Sequence, residues 1–485
     1  MEAIQKKNLD YGYLIKLGIG LGFMLFFRYI PPMSPITPVG MQVIGIFIGT
    51  IFLIATIHPA WPAFIAAFLL ATTPLYSANE VIAQTMGNWL PSFLICIFMM
   101  GYALIQSGIA KRLTTWMITR PILKGRPWLF TTTFLLSLLF VGSLMEGMGL
   151  IAFYLASVAL ICEQLGYKKR DKYPTGLVIG VGFMTALAGA TTVFQSHVAF
   201  VMGQYTTASG LTIDVFKYTI WALVPSIILF AIFMLLFRFV LKPDMSNFDT
   251  LDFETLKITT PVTKKEKLIG VIYLCVVFMW MVPGILEMAG LSATAFGIFF
   301  AKLGIVMPAY FGVIVMSIVR VEGQPLLNFT KAAKEGVQWN IVFLVAGNMI
   351  LGNALQHADV GFTQWFEITI KPLVANASPF MFIFLICLAT IIFTNLGSNS
   401  VAAIIGFQLA SLLLPEGMSL AVMAVLIAFS CRAAFMLPSS FVGIATIYGD
   451  EWCDTKKILP YGTAMAIIST FVLAFIGSAF ATFLF

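Results

Sequence analysis

The sequence predicts an all-α polytopic membrane protein with about eleven transmembrane helices and two re-entrant hairpins. Of its 485 residues, 60% are hydrophobic and 10% are charged, against roughly 45–50% and about 25% in an ordinary soluble domain. Apolar runs of about 20 residues, the length that crosses a bilayer as a helix, recur along the chain. Two longer apolar stretches carry small and polar residues at their centres. Much of the surface is therefore expected to face lipid.

The rest of the composition excludes several other classes of protein. With 39 Gly, 22 Pro and 6 Cys, the chain has neither a collagen nor a disulfide-scaffold composition. The cysteines lie far apart, without the two-residue spacing of a zinc site. The formal net charge is +7, but the basic residues lie in short gaps between apolar runs, where membrane orientation is encoded. The expected partner is therefore the lipid bilayer and not nucleic acid.

Helices that cross the bilayer are expected in eleven places. Residues Met1–Asp10 are polar and the first apolar run lacks a small-residue cleavage site, so that run is interpreted as a span and not as a signal peptide. Two of the spans, 174–207 and 419–450, are interrupted by small and polar residues. The full set is 11–30, 39–57, 59–75, 88–110, 174–207, 216–241, 266–287, 292–319, 337–355, 419–450 and 459–484.

Two apolar stretches, 127–166 and 376–415, are each about 40 residues long, enough to enter the membrane and return. A helix broken at mid-depth is tolerated only where its backbone is buried in protein or lines a watery cavity. Both stretches are therefore predicted to be re-entrant hairpins. Their centres read Gly142-Ser143-Leu144-Met145-Glu146-Gly147 and Asn395-Leu396-Gly397-Ser398-Asn399-Ser400.

The distribution of charge predicts the orientation. Residues 111–126 and 166–173, which flank the first hairpin, are strongly basic, whereas the gap 31–38 has no charge. Because basic loops stay in the cytoplasm, the first hairpin opens inward, the N-terminus lies inside and the C-terminus lies outside the cytoplasmic membrane. The stretch 111–126 also contains Trp116, and it is more typical of an interfacial helix that supports the hairpin than of a lipid sensor.

Two parts of the chain repeat the same order of elements. In each, a tryptophan, Trp89 or Trp339, opens a span that is followed by an amphipathic stretch, a hairpin and an interrupted span. An odd number of spans separates the hairpins, so the copies have opposite orientations, as in many secondary transporters. The predicted division is an N-terminal span and loop (1–38), a first inverted repeat (39–241), a cytoplasmic connector (242–265) and a second inverted repeat (266–485).

The hairpin tips and the interruptions form the expected substrate site, because in such folds the site lies near the midplane at the interface between repeats. Each half-helix that starts there has free backbone N–H groups that attract an anion. Two such places suit a solute with an anionic group at each end, a small dicarboxylate. The expected substrate-binding residues are Ser143, Leu144, Met145, Gly189, Ala190, Thr191, Thr192, Ser398, Asn399, Ser400, Pro438, Ser439 and Ser440.

These motifs make the chain from about residue 39 onward resemble the divalent anion/sodium symporter family of INDY-type di- and tricarboxylate transporters. That family has Ser-Asn-Thr at both tips and Leu-Pro before the unwound part of the second interrupted helix. Ser398-Asn399-Ser400 and Ala434-Phe435-Met436-Leu437-Pro438 are close matches. The resemblance implies a homodimer, each protomer with a scaffold and a transport domain that moves as an elevator, and carboxylates bound by both tips.

The chain departs from the family pattern in two places. Ser143-Leu144-Met145 stands where the first Ser-Asn-Thr is expected, and Arg432 lies inside the second interrupted span. A charged residue at that depth usually faces a cavity and has a role. The hypothesis is that Arg432 replaces part of the work of Na⁺, which predicts Na⁺-independent exchange of C4/C5 dicarboxylates such as succinate, malate, fumarate and 2-oxoglutarate. The alternatives are Na⁺-coupled symport and citrate/dicarboxylate exchange.

Three further predictions concern charge and ions. Glu146 is interpreted either as a capping-box acid with Ser143 or as a coupling acid or a partner of Arg432. His197 is either a coupling residue or a packing residue. No metal site is assigned, apart from a candidate Na⁺ site near Asn395, Ser398 and Asn399, and no other cofactor is expected.

An intramembrane enzyme and an ATP-driven pump were the competing classes of function. The sequence contains neither a His-Glu-x-x-His zinc motif nor a Walker lysine motif. A channel would be expected to show a filter or a charged ring in place of an inverted repeat with broken helices. The sequence therefore predicts a secondary transporter and not an enzyme.

Overall fold

The computed structural model describes residues 10–145, 148–370, 372 and 377–485, which are almost entirely helical. Helices α1 to α12 span, in order, Tyr11–Phe26, Pro38–Thr56, Trp61–Ala71, Ala78–Gln84, Trp89–Ser107, Ile109–Ile118, Pro127–Ser143, Met148–Gln164, Lys172–Ala188, Ser196–Ser209, Val215–Leu235 and Phe253–Leu256. Helices α13 to α24 span Lys264–Met288, Ala295–Leu303, Val306–Ile318, Phe329–Glu335, Trp339–Gln356, Phe362–Thr369, Pro379–Leu396, Asn399–Leu413, Leu420–Ser430, Val442–Tyr448, Ile458–Val472 and Ser478–Leu484.

Shorter elements complete the described part of the chain. A π-helical segment, Leu236–Leu241, extends α11, and a second, Leu473–Gly477, joins α23 to α24. Strands β1 (Arg320–Val321) and β2 (Gln324–Pro325) pair antiparallel, with Arg320 opposite Pro325. Single 3₁₀ turns lie at Phe27–Tyr29, Pro121–Leu123, Ser246–Thr250, Ala358–Val360 and Thr455–Lys457.

The helices begin and end at residues that satisfy the terminal backbone groups. At the start of α2, the Thr37 hydroxyl accepts a hydrogen bond of 3.0 Å from the Gly40 N–H. Thr263 and Glu266 form a capping box at the start of α13. Gly108, with φ of 81°, separates the apolar α5 from the amphipathic α6, because glycine adopts this left-handed conformation without strain. These local signals set the boundaries that the sequence predicts.

The described residues contain seven helices that are long and apolar enough to cross a membrane, or up to nine if each of two bent pairs is one span. The predicted nearly all-helical membrane fold is confirmed. The predicted count of about eleven also included the two interrupted spans and the stretch 59–75. The first arm of the second predicted hairpin, α19, has 18 residues and itself passes the length and hydropathy test for a span.

Two predicted spans differ from the structure. The stretch 59–75 forms a helix of only 11 residues, Trp61–Ala71, because the Thr72 and Thr73 hydroxyls take up carbonyls of its last turn. The span predicted at 292–319 is two helices, α14 and α15, that meet at 77°. Gly304, with φ of 57°, ends α14 there. A short helix, α16, was not predicted from the sequence.

The chain divides into two compact units, each described here by itself. The first contains the described residues of Met1–Pro91 and Trp339–Asn376. In it α1 packs on α2, and α3 packs between α2 and α17. Val43, Ile46, Leu53 and Ile350 belong to its buried core.

The second unit contains the described residues of Ser92–Gln338 and Ala377–Phe485. Helix α9 packs against α7, α8 and α22, and α21 packs against α10, α19 and α20. Helix α11 packs against α13 and α23. Both hairpin stretches and both interrupted spans therefore lie in this one unit, which contains the candidate site.

Candidate substrate site

Four interruptions of helix meet in the second unit. Break one is Gly189–Gln195, between α9 and α10, and all of its residues are buried. Break two is Cys431–Phe441, between α21 and α22, in which Pro438 and Ser439 are exposed. Tip one is the turn after α7, described as far as Met145, and tip two is the turn at Gly397 and Ser398 between α19 and α20. The two breaks occur where the sequence predicts them.

Break one holds tip one through side chains that donate to carbonyl oxygens. The Thr192 hydroxyl donates to the Ser143 carbonyl at 2.8 Å. The Gln195 amide Nε2 donates to the carbonyls of Gly142 at 3.0 Å and Met145 at 3.3 Å. The last carbonyls of a helix have no partner within that helix. Thr192 and Gln195 therefore satisfy the open end of α7 in an apolar setting.

Two tyrosines from more distant helices complete this arrangement. The Tyr273 hydroxyl of α13 donates to the Leu144 carbonyl of tip one. The Tyr218 hydroxyl of α11 donates to the Ala190 carbonyl of break one at 2.8 Å. Farther along α13, the ring of Trp280 stacks on Phe194 with centroids 4.4 Å apart. Tip one and break one are thus held by hydroxyl, amide and aromatic side chains without a charged group among these contacts.

Tip two and break two show the reverse arrangement. Here the residues that lead into the tip form the hydrogen bonds that hold the break. The Asn395 amide Nδ2 donates to the Ala433 carbonyl at 2.8 Å. Its Oδ1 accepts hydrogen bonds from the backbone N–H groups of Phe435 at 2.8 Å and Met436 at 2.9 Å. One buried amide therefore replaces the helical partners that the unwound backbone has lost.

Thr394 and Asn399 extend this clamp. The Thr394 hydroxyl donates to the Cys431 carbonyl at 2.7 Å. The Asn399 amide is assigned so that its nitrogen donates to the Cys431 carbonyl at 3.2 Å and to the Ser440 carbonyl at 3.1 Å, since only this orientation satisfies both ends. Its oxygen then accepts from Nη1 of Arg432 at 3.0 Å. Asn399 thus fixes the arginine to tip two.

Arg432, in break two, contacts residues from both predicted repeats. Its side chain is 4% exposed, and a guanidinium keeps its positive charge inside a protein. From the second half it contacts Asn399 and lies over the ring of Phe441, 4.7 Å from the centroid. From the first half it approaches Nδ1 of His197 at 3.5 Å. The site therefore contains a permanent buried cation.

Glycine at position 189 makes this approach possible. A Cβ atom built on Gly189 would lie 1.8 Å from Nη2 of Arg432 and 2.4 Å from its Cζ. No side-chain atom can occupy that space, so the guanidinium lies directly against the backbone of break one. The sequence indicated Gly189 only as part of a small and polar interruption. In the structure it has a steric role, because it leaves room for the guanidinium.

His197 is the second titratable side chain of the cluster. Its Nδ1 faces the guanidinium donor of Arg432, and its Nε2 lies 3.1 Å from the Ser400 hydroxyl. Because Arg432 can only donate, Nδ1 accepts and the proton is assigned to Nε2. The imidazole, at the start of α10, therefore bridges Arg432 of break two and Ser400 at the start of α20 in its neutral form. The Ser196 hydroxyl, 3.3 Å from Nδ1, supports the same position.

The other predicted residues have varied roles. Ser143 is buried and its hydroxyl donates to the Phe140 carbonyl at 2.8 Å, and Thr191 likewise donates to Ala188 at 2.8 Å. Ser398 caps α20 by accepting from the Val401 N–H, and Ser440 donates to the Leu437 carbonyl. Leu144, Met145, Gly189 and Ala190 contribute through their backbone. Glu146 lies outside the described residues.

Several residues that contact the tips, the breaks or Arg432 were not predicted from the sequence. Gln195 stands next to the predicted interruption, and its polar side chain in an apolar run could have identified it. Thr394 precedes the predicted tip. Tyr218 and Tyr273 lie on ordinary apolar helices, and no local pattern separates them from other aromatic residues. Phe441, which covers one face of Arg432, is one of 45 phenylalanines.

Helix α10 begins at this cluster with Ser196. Its N-cap residue, Gln195, makes no side-chain cap hydrogen bond, because its amide is bound to tip one. The N-terminus of a helix carries a positive partial charge and unpaired N–H groups, which favour an anion. The partial positive charge of the α10 N-terminus and the full charge of the Arg432 guanidinium therefore both lie beside break one.

The chain is similar to known transporters. The family model described as the sodium:sulfate symporter transmembrane region matches residues 13–485. The sodium-dependent dicarboxylate transporter SdcS of Staphylococcus saprophyticus is 23% identical over 501 aligned residues, covering 97% of this chain and 92% of that protein. An uncharacterized transporter of Synechocystis is 25% identical over 138 residues, 28% of this chain and 22% of that protein.

A solved structure has a similar fold. The crystal structure of the Alcanivorax borkumensis YdaH transporter matches with a TM-score of 0.56 and 12% sequence identity, covering 82% of this chain and 89% of that one. At this identity the likeness concerns the fold alone. The family and both relatives consist of transporters, in agreement with the prediction that the chain is not an enzyme.

Proposed function

The chain belongs to the sodium:sulfate symporter family, and from this premise we propose that it exchanges small dicarboxylates across the cell membrane without Na⁺. The substrates are C4/C5 dicarboxylates: succinate, malate, fumarate and 2-oxoglutarate. The relative SdcS, named as a dicarboxylate transporter, supports this class of substrate. That relative is sodium-dependent by name, whereas here the proposed source of positive charge for the carboxylate is Arg432.

The observation that carries the proposal is the position of Arg432. Its guanidinium is buried between Gly189 of break one and Asn399 beside tip two. A guanidinium binds a carboxylate through two parallel charge-assisted hydrogen bonds. One end of the substrate is therefore proposed to bind Arg432, with the Ser400 hydroxyl close by, 3.1 Å from Nε2 of His197.

The second carboxylate is proposed to bind on the side of tip one. Helix α8 starts there, and a helix start attracts an anion through its backbone N–H groups. The two ends of the substrate then meet different surroundings, one with a fixed cation and one with neutral donors. Dicarboxylates of similar length would all satisfy this arrangement, which accounts for the breadth of the proposed substrate class.

Exchange follows from the permanence of the arginine charge. A charge near the bilayer centre costs about 2.5–3.5 kcal/mol on insertion scales, and more in simulations. In the loaded carrier a substrate carboxylate lies against Arg432, whereas an empty carrier would take the guanidinium across without that carboxylate. We therefore propose that return without substrate is slow and that an internal dicarboxylate is required for uptake.

The architecture of movement is also part of the proposal. In line with the family resemblance, a homodimer with a scaffold and an elevator-type transport domain is proposed, with re-entrant hairpins at 127–166 and 376–415. The repeats 39–241 and 266–485, joined by the connector 242–265, have opposite orientations, with the N-terminus inside and the C-terminus outside. The charge asymmetry of residues 111–126 and 166–173 supports this orientation.

Na⁺-coupled dicarboxylate symport is the second candidate, favoured by the name of the relative SdcS. Its ion would need oxygen ligands near Asn395, Ser398 and Asn399. The Asn395 oxygen accepts from two backbone N–H groups and the Asn399 oxygen faces a guanidinium. These contacts leave few oxygens for a cation, which is why exchange is preferred. Citrate/dicarboxylate exchange differs from the first proposal only in substrate size.

Uptake of labelled succinate into liposomes separates the three. The purified chain is reconstituted with or without internal succinate, malate, 2-oxoglutarate or citrate, each in Na⁺ or in choline medium. Uptake that requires internal dicarboxylate and is unchanged by removing Na⁺ is expected. Uptake into empty liposomes that depends strictly on Na⁺ would establish the symporter, and efficient exchange against citrate would extend the substrate class.

A further inference from the structure

The segment between α5 and α7 has a cationic and apolar outer surface. It contains α6 and the turn Pro121–Leu123, and residues 108–126 include no acidic residue. Its inner side is buried at Ala110, Thr114, Ile118 and Leu123. Its outer side exposes three cations and two large apolar side chains, Lys111, Lys124, Arg126, Trp116 and Ile122. We define these five residues as the α6 surface.

The cations of the α6 surface differ from Arg112 in their contacts. Arg112 is neutralised within the protein, since its guanidinium pairs with Glu266 at 3.2 Å and donates to the Thr260 carbonyl at 2.6 Å. Among the described residues, Lys111, Lys124 and Arg126 form no ion pair. Nζ of Lys111 lies 5.5 Å from the Phe153 ring centroid and Nζ of Lys124 lies 6.0 Å from that of Phe253, so these charges meet aromatic rings and solvent without a neutralising acid among the described residues.

The apolar residues indicate which kind of anion this surface meets. Trp116 is 58% exposed and Ile122 is 62% exposed, and the Arg120 guanidinium stacks 3.6 Å above the Trp116 ring. The segment links two apolar helices, so it lies at the level where a membrane helix ends. Tryptophan and cations together at that level are typical of contact with lipid headgroups. An acidic soluble protein would leave Ile122 in water.

We propose that the α6 surface binds the headgroups of anionic phospholipids. The phosphate and any further negative group of the lipid would contact Lys111, Lys124 and Arg126, while Trp116 and Ile122 enter the boundary with the acyl chains. The attraction is electrostatic and falls off within a Debye length, so salt weakens it.

Bound lipid would act on the first hairpin. Helix α6 packs on α7, and the Thr114 hydroxyl lies 3.0 Å from the Tyr154 hydroxyl of α8. That same tyrosine lies 2.7 Å from the Ser137 hydroxyl of α7. One residue of α6 is thereby connected to both arms of the hairpin. Anionic lipid is expected to change the rate at which the hairpin moves, a consequence that rests on the proposed transport function, whereas the binding itself does not.

The test uses the full chain in bilayers of phosphatidylcholine that contain spin-labelled phosphatidylglycerol or spin-labelled phosphatidylcholine. The fraction of motionally restricted label gives the relative affinity for the anionic lipid. The variant Lys111→Gln/Lys124→Gln is compared with Lys331→Gln/Lys334→Gln on α16, which removes the same charge from exposed lysines next to Glu335. Size-exclusion profiles establish that both variants fold.

The variant Lys111→Gln/Lys124→Gln is expected to lose about fivefold in relative affinity for the anionic lipid for each lysine removed. The control is expected to match the wild type. High salt is expected to abolish the difference between the first variant and the wild type. An equal loss in both variants, or no loss in the first, would overturn the proposal. Labelled succinate exchange in the same bilayers is a separate readout. If lipid binding changes as expected and no transport is seen, the proposed function fails while the lipid site stands.

Discussion

The two pairs of tip and break are stabilised in opposite directions. In the first pair, side chains of the break, Thr192 and Gln195, hold the carbonyls of the tip. In the second pair, side chains next to the tip, Asn395 and Asn399, hold the backbone of the break. Among the described residues, only the second pair brings a charged group, Arg432, into the cluster. Equivalent positions in a predicted repeat have therefore taken different roles, neutral support in one half and charge in the other.

The difference has a physical origin in the residues that the first tip lacks. Leu144 and Met145 have no side-chain amide or hydroxyl, so the polar groups that satisfy this tip must come from elsewhere. They come from break one and from Tyr273. In the second half the asparagines remain, and their amides have enough hydrogen-bonding capacity to fix both an unwound chain and a guanidinium. Four substitutions test this asymmetry.

The largest effect is expected for Arg432→Ala, which should lower succinate exchange about 100-fold or more, because two charge-assisted hydrogen bonds to a carboxylate are lost. Exchange is measured in liposomes under saturating internal substrate. Arg432→Lys, which retains the charge without the planar pair of donors, should keep part of the activity. Unchanged kinetics in the alanine variant, with normal expression, would show that Arg432 is only structural.

The next effect is on stability. Asn395→Leu should lower the free energy of unfolding by about 3 kcal/mol, because one buried and one partly buried backbone N–H group lose their acceptor. The matched change in the first half is Thr192→Val, which removes one hydrogen bond and should cost about 1 kcal/mol. Denaturant unfolding in detergent compares the two. Equal costs would contradict the view that the second half depends on its tip amides.

Gly189→Ala should lower exchange about tenfold, because the new Cβ overlaps the Arg432 guanidinium, and overpacking of this kind typically costs about 1–3 kcal/mol. Gly449→Ala is a suitable control, since a Cβ there would have only an ordinary contact at 3.5 Å. The melting temperature of both variants separates displacement of Arg432 from general destabilisation. Wild-type exchange by Gly189→Ala would mean that Arg432 works equally well in another position.

The smallest effect is expected for Tyr273→Phe, which removes the hydroxyl that donates to the Leu144 carbonyl of tip one. A loss of about 1 kcal/mol in stability is expected, with exchange reduced no more than severalfold. Tyr310→Phe provides the control, since its hydroxyl makes no hydrogen bond with a described residue in the structure. If Tyr273→Phe abolished exchange outright, tip one would carry more of the chemistry than neutral support.

The sequence was sufficient for elements whose signal is local. Apolar length located most spans, and the runs Gly189-Ala190-Thr191-Thr192 and Met436-Leu437-Pro438-Ser439-Ser440 indicated the breaks, because helices seldom tolerate such residues at depth. The bend between α14 and α15 was missed because its apolar pattern continues across Gly304. The helix α16 was missed because its seven residues are polar on most faces.

Contacts between distant residues could not be predicted in the same way. Arg432 stood out as a charge in an apolar run, but its position against Gly189 joins residues of different halves. Gln195 and Asn395 were visible as polar residues, yet which backbone groups they satisfy depends on how α7, α19 and α21 pack. Tyr273 carried no signal, since a tyrosine in an apolar helix has many ordinary explanations. Tertiary packing decides these partners.

The central claim is that the Arg432 guanidinium binds one carboxylate of the substrate at the meeting point of Gly189, His197 and Asn399. Electron cryomicroscopy of the chain in a nanodisc with succinate and without Na⁺ tests it directly. Substrate density is expected with two carboxylate oxygens within hydrogen-bond distance of the Arg432 nitrogens. Succinate bound elsewhere, with the guanidinium unchanged beside Asn399, would contradict it.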